Sequence, residues 1–209
     1  GFLGAWRDPG GLSPLLAGDK NVDEIMLELS QDVCSLFNAD RLTIYSMGED
    51  KASIVSKVKT GLNSYKDFKL PVTDQSVAGY VALHRRIVSI RDVYDAKELE
   101  SYSPHLNFLP LVDAKTGYRT KQLLVAPVVE AQTGDLVGVV QLINTRSGEP
   151  FPAAMEDGIA LLCETLAIAL RQRQRPAGQI KGKYDALVAH AVVSAEELEL
   201  ATRAARRKN

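Results

Sequence analysis

The sequence predicts an α+β domain in which a long helix, an antiparallel sheet and a second long helix follow one another along the chain. Three observations carry this. Apolar residues recur three and four apart from Asn21 to Phe37 and again from Ala153 to Arg173, the pattern of a helix with one buried stripe. Between these stretches lie short β-branched runs with alternating apolar positions. Consecutive runs are joined by the turn signals Gly48-Glu49-Asp50 and Thr133-Gly134-Asp135, as expected of neighbouring antiparallel strands.

Taken in order, Gly1 to Gly18 is a Gly- and Pro-rich leader with no sustained period, whose Phe2, Leu3 and Trp6 could dock on the domain. Asp19 is a candidate cap for the first helix, where Val22, Ile25, Met26, Leu29, Val33, Leu36 and Phe37 form one stripe. Arg41 to Met47 and Ala52 to Lys59 read as paired strands, Gly61 to Asp67 as a loop and Phe68 to Val72 as a short strand. Asp74 to His84 is a helix that opens with Asp and Ser near its positive end, and Ile87 to Ile90 is a further strand. Arg91 to Lys115 carries charges and two prolines, so it reads as a long connection with one or two helical turns; connections of that length usually carry function or disorder. Leu123 to Val129 and Leu136 to Ile143 form a central hairpin, and Ala153 to Arg173 is the closing helix. Pro176 and Gly178 mark a linker, beyond which Tyr184 to Val193 and Ser194 to Arg207 read as two helices. The domains expected are therefore a leader at 1–18, a globular domain at 19–175, and a linker with the helical start of a following domain at 176–209.

Composition narrows the function. Lys and Arg number 25 against 26 Asp and Glu, a balance that argues against a nucleic-acid partner. The longest apolar runs, such as LLVAPVV, fall far short of the roughly 20 residues that cross a bilayer, so no membrane insertion is expected. Cys34 and Cys163 lie on the two long helices among core positions, which suits reduced structural thiols and a cytoplasmic location. No Ser or Cys has a local base, and the chain reads as non-catalytic.

The segments DQSVAGYVALHRRIVSIRDVY, TGYRTKQLLVAPVV and GDLVGVVQLIN, followed by Phe151, resemble signature segments of the GAF family in order and separation. The resemblance covers about Asn21 to Arg173. It implies a central antiparallel sheet of about six strands, long N- and C-terminal helices packed on one face and a ligand pocket on the other, in a module that binds a small molecule or mediates dimerisation. It also implies a ligand-binding set of Thr43, Lys59, Thr60, Val77, Ala78, Phe108, Thr116, Thr120 and Gln141. Val77 and Ala78 would offer backbone groups at a helix start, which suits an anionic phosphate. Thr116 and Thr120 would add hydroxyls, and Thr43 and Gln141 polar side chains from strands. The ligand class implied is a nucleotide or another small anion.

Two departures bear on specificity. Cyclic-GMP-binding relatives place an aromatic and an acidic residue where Lys59 and Thr60 stand, so the purine-reading pair is missing. The same relatives carry a Lys and an Asp where Thr145 and Met155 stand; loss of both avoids stranding one buried charge.

The tail, KYDALVAHAVVSAEELELATRAARRKN, resembles the start of the N-terminal domain of type II secretion and type IV pilus assembly ATPases. That implies a downstream ATPase domain in a longer chain, although no Gly-rich loop followed by Lys-Ser or Lys-Thr occurs here. Two readings follow, a sensor whose connection from Arg91 to Thr120 closes over the ligand, and a ligand-free dimerisation scaffold. Both predict a homodimer through the terminal helices.

Overall fold

The computed structural model describes residues 22–59 and 68–173. The leader, Asp19, Thr60, the loop 61–67, the linker and both tail helices lie outside the described residues, as does the stretch resembling an ATPase domain.

The elements are α1 (Val22–Phe37), β1 (Ala39–Met47), β2 (Ser53–Lys59), β3 (Lys69–Pro71), α2 (Val77–His84), β4 (Val88–Ile90), α3 (Ala96–Glu100), α4 (Leu111–Thr116), β5 (Leu123–Val129), β6 (Leu136–Thr145) and α5 (Ala154–Arg173). The strands form one six-stranded sheet in the order β3-β2-β1-β6-β5-β4, antiparallel throughout. The first and last of the described strands are thus the central pair, and β5 and β4 extend the sheet beyond β6.

Strand pleating divides the core in two. Leu124, Ala126 and Val128 of β5 join Val137, Val140 and Leu142 of β6 on one face, where they meet Val33 and Phe37 of α1 and Ile159, Leu162 and Leu166 of α5. Leu123 and Val125 turn to the other face with Tyr45, Ile54 and Val139, and there meet Val77, Ala78 and Val81 of α2. Burial on both faces explains why β5 and β6 read as almost continuous apolar runs. Cys34 and Cys163 are free thiols in the helix-side core, and burial pushes them up to about 11 and about 12 respectively, far from the range of a reactive thiolate.

The joints are tight. Asn38, with φ 53°, is the single residue between α1 and β1; its N–H donates to Ser35 O (3.3 Å) and its carbonyl accepts from Arg146 N (2.9 Å) just past β6. In the β1–β2 turn, the Asp50 carboxylate accepts from Ala52 N, Ser53 N and Ser53 Oγ at 3.0, 3.1 and 2.8 Å. No described helix is long and apolar enough to cross a membrane.

One local expectation changes. Helix α2 begins at Val77 rather than Asp74, because Ser76 keeps extended backbone angles and caps it. Helix α4 closes on Gly117, which at φ 71° donates its N–H to Asp113 O.

Candidate functional site

The sheet face under α2 carries a polar row. Backbone register places Lys59, Thr43, Gln141, Val125 and Val88 side by side across β2, β1, β6, β5 and β4. Directly paired residues share a face, so Thr43 and Gln141 lie on the side of the Val125 and Val139 core. Thr43 is 5% exposed and Gln141 half-buried. Among the described residues, neither side chain makes a hydrogen bond.

The α2 helix roofs this face. Ser76 accepts from Gly79 N at 3.0 Å, and its carbonyl takes the Tyr80 N–H at 2.8 Å. The Val77 and Ala78 amides stand in the first turn, where a helix offers them no acceptor, and both residues are buried. A glycine is required at 79: a Cβ there would lie 2.6 Å from Thr73 O and 2.7 Å from Pro71 O. That close approach seats the helix start against the end of β3.

The long connection from Arg91 to Gln122 covers the remainder. Val93, Leu99 and Leu106 are buried in the α2-side core. Ser103 Oγ donates to Asp74 Oδ2 (2.7 Å) and Asn107 N to Gln75 O (3.1 Å), latching the connection to the segment leading into α2. Its two feet are tied by Val93 N to Lys121 O (2.9 Å). Asp95 caps α3 through Lys97 N and Glu98 N, while the Glu98 carboxylate turns back onto Arg91 N and Asp92 N.

Within the connection, Asp113 is a hub. It accepts from Thr120 N and Thr120 Oγ1, each at 2.8 Å, and from the Tyr94 hydroxyl at 2.7 Å. The bond to Asp113 raises the Tyr94 phenol above its ordinary value. Phe108 packs edge-on against Tyr94 at 5.3 Å, and the Arg119 guanidinium stacks 4.2 Å from the Tyr94 centroid. A second hub holds the following stretch: Asn144 Oδ1 accepts from Lys121 N (2.7 Å) and Gln122 N (2.9 Å), while its Nδ2 donates to Tyr118 Oη (3.0 Å) and Arg119 O (2.8 Å). Gln122, fully buried, bridges Gly148 O and Thr145 N. Burial and the hydrogen bond to Asp40 push the Tyr118 phenol far up.

The expected ligand-binding residues therefore have different fates. Thr43 and Gln141 sit together, Lys59 pairs with Thr43 in register, Val77 and Ala78 start the roofing helix, and Phe108 packs half-buried on the same core. Thr120 is buried with its hydroxyl engaged by Asp113, and Thr116 ends α4 with its Oγ1 accepting from Tyr118 N at 3.2 Å. Thr60 lies outside the described residues. The two departures noted in sequence are absorbed locally: Thr145 Oγ1 donates to Glu149 O, and Met155 packs against the helix-side core. Tyr94, Asp113 and Arg41 were not singled out from sequence. Alternation alone would have put Arg41 on the face of Thr43; Asn144 with φ 55° shows only in three dimensions.

The GAF domain profile matches residues 21–170, well over half of the chain. The chain belongs to the GAF domain family. This GAF domain is 28% identical over 180 residues to the dual 3′,5′-cyclic-AMP and -GMP phosphodiesterase 11A of Takifugu rubripes, a match covering 81% of the chain and 19% of that protein. It is 28% identical over 173 residues to the dual phosphodiesterase 11 of Drosophila melanogaster, covering 76% and 11%. The chain thus spans a fifth or less of these relatives. Among solved structures, the GAF domain of an Acinetobacter phosphoenolpyruvate-protein phosphotransferase superposes with a TM-score of 0.60 at 16% identity, covering 86% of this chain and 98% of that one. The equivalent domain from Coxiella burnetii gives 0.55 at 19% identity, covering 81% and 89%. These likenesses establish the GAF fold with its six-stranded antiparallel sheet.

Proposed function

We propose that this chain is a non-catalytic regulatory GAF domain that senses a small anionic molecule, a nucleotide by class, on the sheet face beneath α2. The observation that carries the reading is the Thr43–Gln141 pair on the α2-side face, Thr43 buried and Gln141 half-buried, neither side chain having a hydrogen-bond partner among the described residues. A buried polar group left unsatisfied costs about 1–3 kcal/mol, so such groups ask for a partner. The open first-turn amides of Val77 and Ala78 add donors suited to an anion. Relatives named for cyclic AMP and cyclic GMP support a nucleotide, whereas Lys59 and Thr60 in place of the purine-reading pair argue against a copy of cyclic GMP recognition.

Thermal denaturation of the full chain with cyclic AMP, cyclic GMP, cyclic di-GMP and ATP tests this. A ligand bound by the native state alone, at about one hundred times its Kd, adds about 2.7 kcal/mol, a rise of roughly 5–10 °C for a domain of this size. A flat response to every compound at millimolar concentration counts against sensing.

A second reading, the ligand-free dimerisation scaffold, is favoured by one observation: Ile168 on α5 is 46% exposed. In both readings the protein is a cytoplasmic homodimer through α1 and α5, and the domain controls a secretion or pilus ATPase further along the same chain. A monomer by sedimentation contradicts the dimer. Deleting residues 21–173 from the full motor without effect on its assembly or ATPase rate contradicts the control.

A further inference from the structure

Arg41 stands two residues before Thr43 on β1, so the pleat turns both side chains to the α2 side of the sheet. Its register partner Ile143, and Leu123 opposite Ile143, pack into the core of that side. The guanidinium lies 3.5 Å from the centroid of the Tyr118 ring. That ring is itself fixed, its hydroxyl donating to Asp40 Oδ2 at 2.6 Å and accepting from Asn144 Nδ2 at 3.0 Å. A guanidinium stacked face-on leaves its N–H groups directed outward from the edge of its plane. Among the described residues, no acceptor takes those N–H groups and no carboxylate pairs with Arg41. A half-buried guanidinium fork is thus held on the same strand face as a buried hydroxyl that has no hydrogen-bond partner among the described residues.

We propose that Arg41 is the anion-recognising group of this site, taking two oxygens of a phosphate or carboxylate while Thr43 and Gln141 bond the adjoining part of the same ligand. The assignment rests on the sensing reading above and adds the group that reads charge. Tyr118 acts as the positioning residue, holding the fork in one plane so that little freedom is lost on binding.

Calorimetry on the full chain with cyclic AMP, adenosine 5′-monophosphate, adenosine and succinate tests it. Binding of a phosphate-bearing probe but not adenosine identifies phosphate as the anion; binding of succinate alone identifies a carboxylate. Arg41→Gln is expected to weaken the bound probe about ten- to hundredfold, the range for losing hydrogen bonds to a charged group. Arg41→Lys, which keeps charge without the planar fork, is expected to recover only part of that loss. It also serves if Arg41→Gln melts too low to assay. Unchanged affinity in the Arg41 variants, with binding lost in Thr43→Val, overturns the role of Arg41 and leaves the sensing reading standing. Adenosine binding as tightly as its monophosphate also overturns it. Absence of binding by every probe to the wild type overturns both.

Discussion

Replacing Thr43 with valine tests the candidate site without knowledge of its ligand. The substitution exchanges a hydroxyl for a methyl of similar size in a residue 5% exposed, beneath α2 and between Lys59 and Gln141 in register. Removing a partnered buried hydroxyl destabilises a protein, whereas removing an unpartnered one relieves a penalty of about 1–3 kcal/mol. Part of that relief is offset by imperfect packing of the new methyl, since valine and threonine are not interchangeable in cores. The expected net gain is about 1 kcal/mol, a rise of roughly 2–4 °C in Tm for a chain of this size. The denaturant midpoint should rise with an unchanged slope, because the surface exposed on unfolding is the same. Any stabilisation by a nucleotide should be lost in the same variant, so that the protein is firmer alone and deaf to ligand. Thr43→Ser, which retains the hydroxyl, should keep the ligand response at lower stability. A fall in Tm for Thr43→Val would show that the hydroxyl is satisfied in the native protein, and the reasoning that makes it a ligand contact would fail.

Asn144→Ala removes four side-chain hydrogen bonds and puts alanine at φ 55°. With two of the four exposed, the loss should be about 2–4 kcal/mol, or a drop in Tm of roughly 5–15 °C, with faster hydrogen exchange at Lys121 and Gln122; a change below about 1 °C would contradict it. Gly79→Ala should destabilise despite the higher helix propensity of alanine, because its Cβ would meet the Thr73 and Pro71 carbonyls, which are backbone and cannot step aside; a higher denaturant midpoint would refute this. Asp50 is held down to about 2, chiefly by the Ala52 N–H and then by the Ser53 hydroxyl. Because the folded value lies below the unfolded one, its contribution is present above about pH 4 and is lost as pH falls through about 2. A carboxyl titration by NMR should place its midpoint near the lower value, and one near 4 would show that the cap is not formed.

Much of the fold was legible because local pattern and tertiary environment agree. Leu123 to Val129 is read with its observed limits, since a strand buried on both faces advertises itself as an apolar run. Helix α2 was found with its start three residues early: Asp74 and Gln75 suit a helix, but Ser76 takes the capping geometry and Asp74 is drawn to Ser103, 29 residues away. The site was legible only where polar residues interrupt strands. Thr43 and Gln141 stand out on apolar strands, and register makes them neighbours. Thr120 resembled a ligand contact because its sequence neighbours matched a motif; the partner that claims its hydroxyl, Asp113, comes from a helix that sequence gave as no more than a turn or two. The role of Arg41 leaves no local trace, because its stacking on Tyr118 joins residues far apart in the chain.

The single-residue joint at Asn38 has a mechanical meaning. The strand that carries Arg41 and Thr43 is rooted directly in α1, and the root is clamped by its carbonyl to Arg146 at the far end of the strand that carries Gln141. There is no slack loop at this point to absorb movement. With one residue between helix and strand, the base of α1 has no length of free chain on which to move independently of the β1–β6 pair.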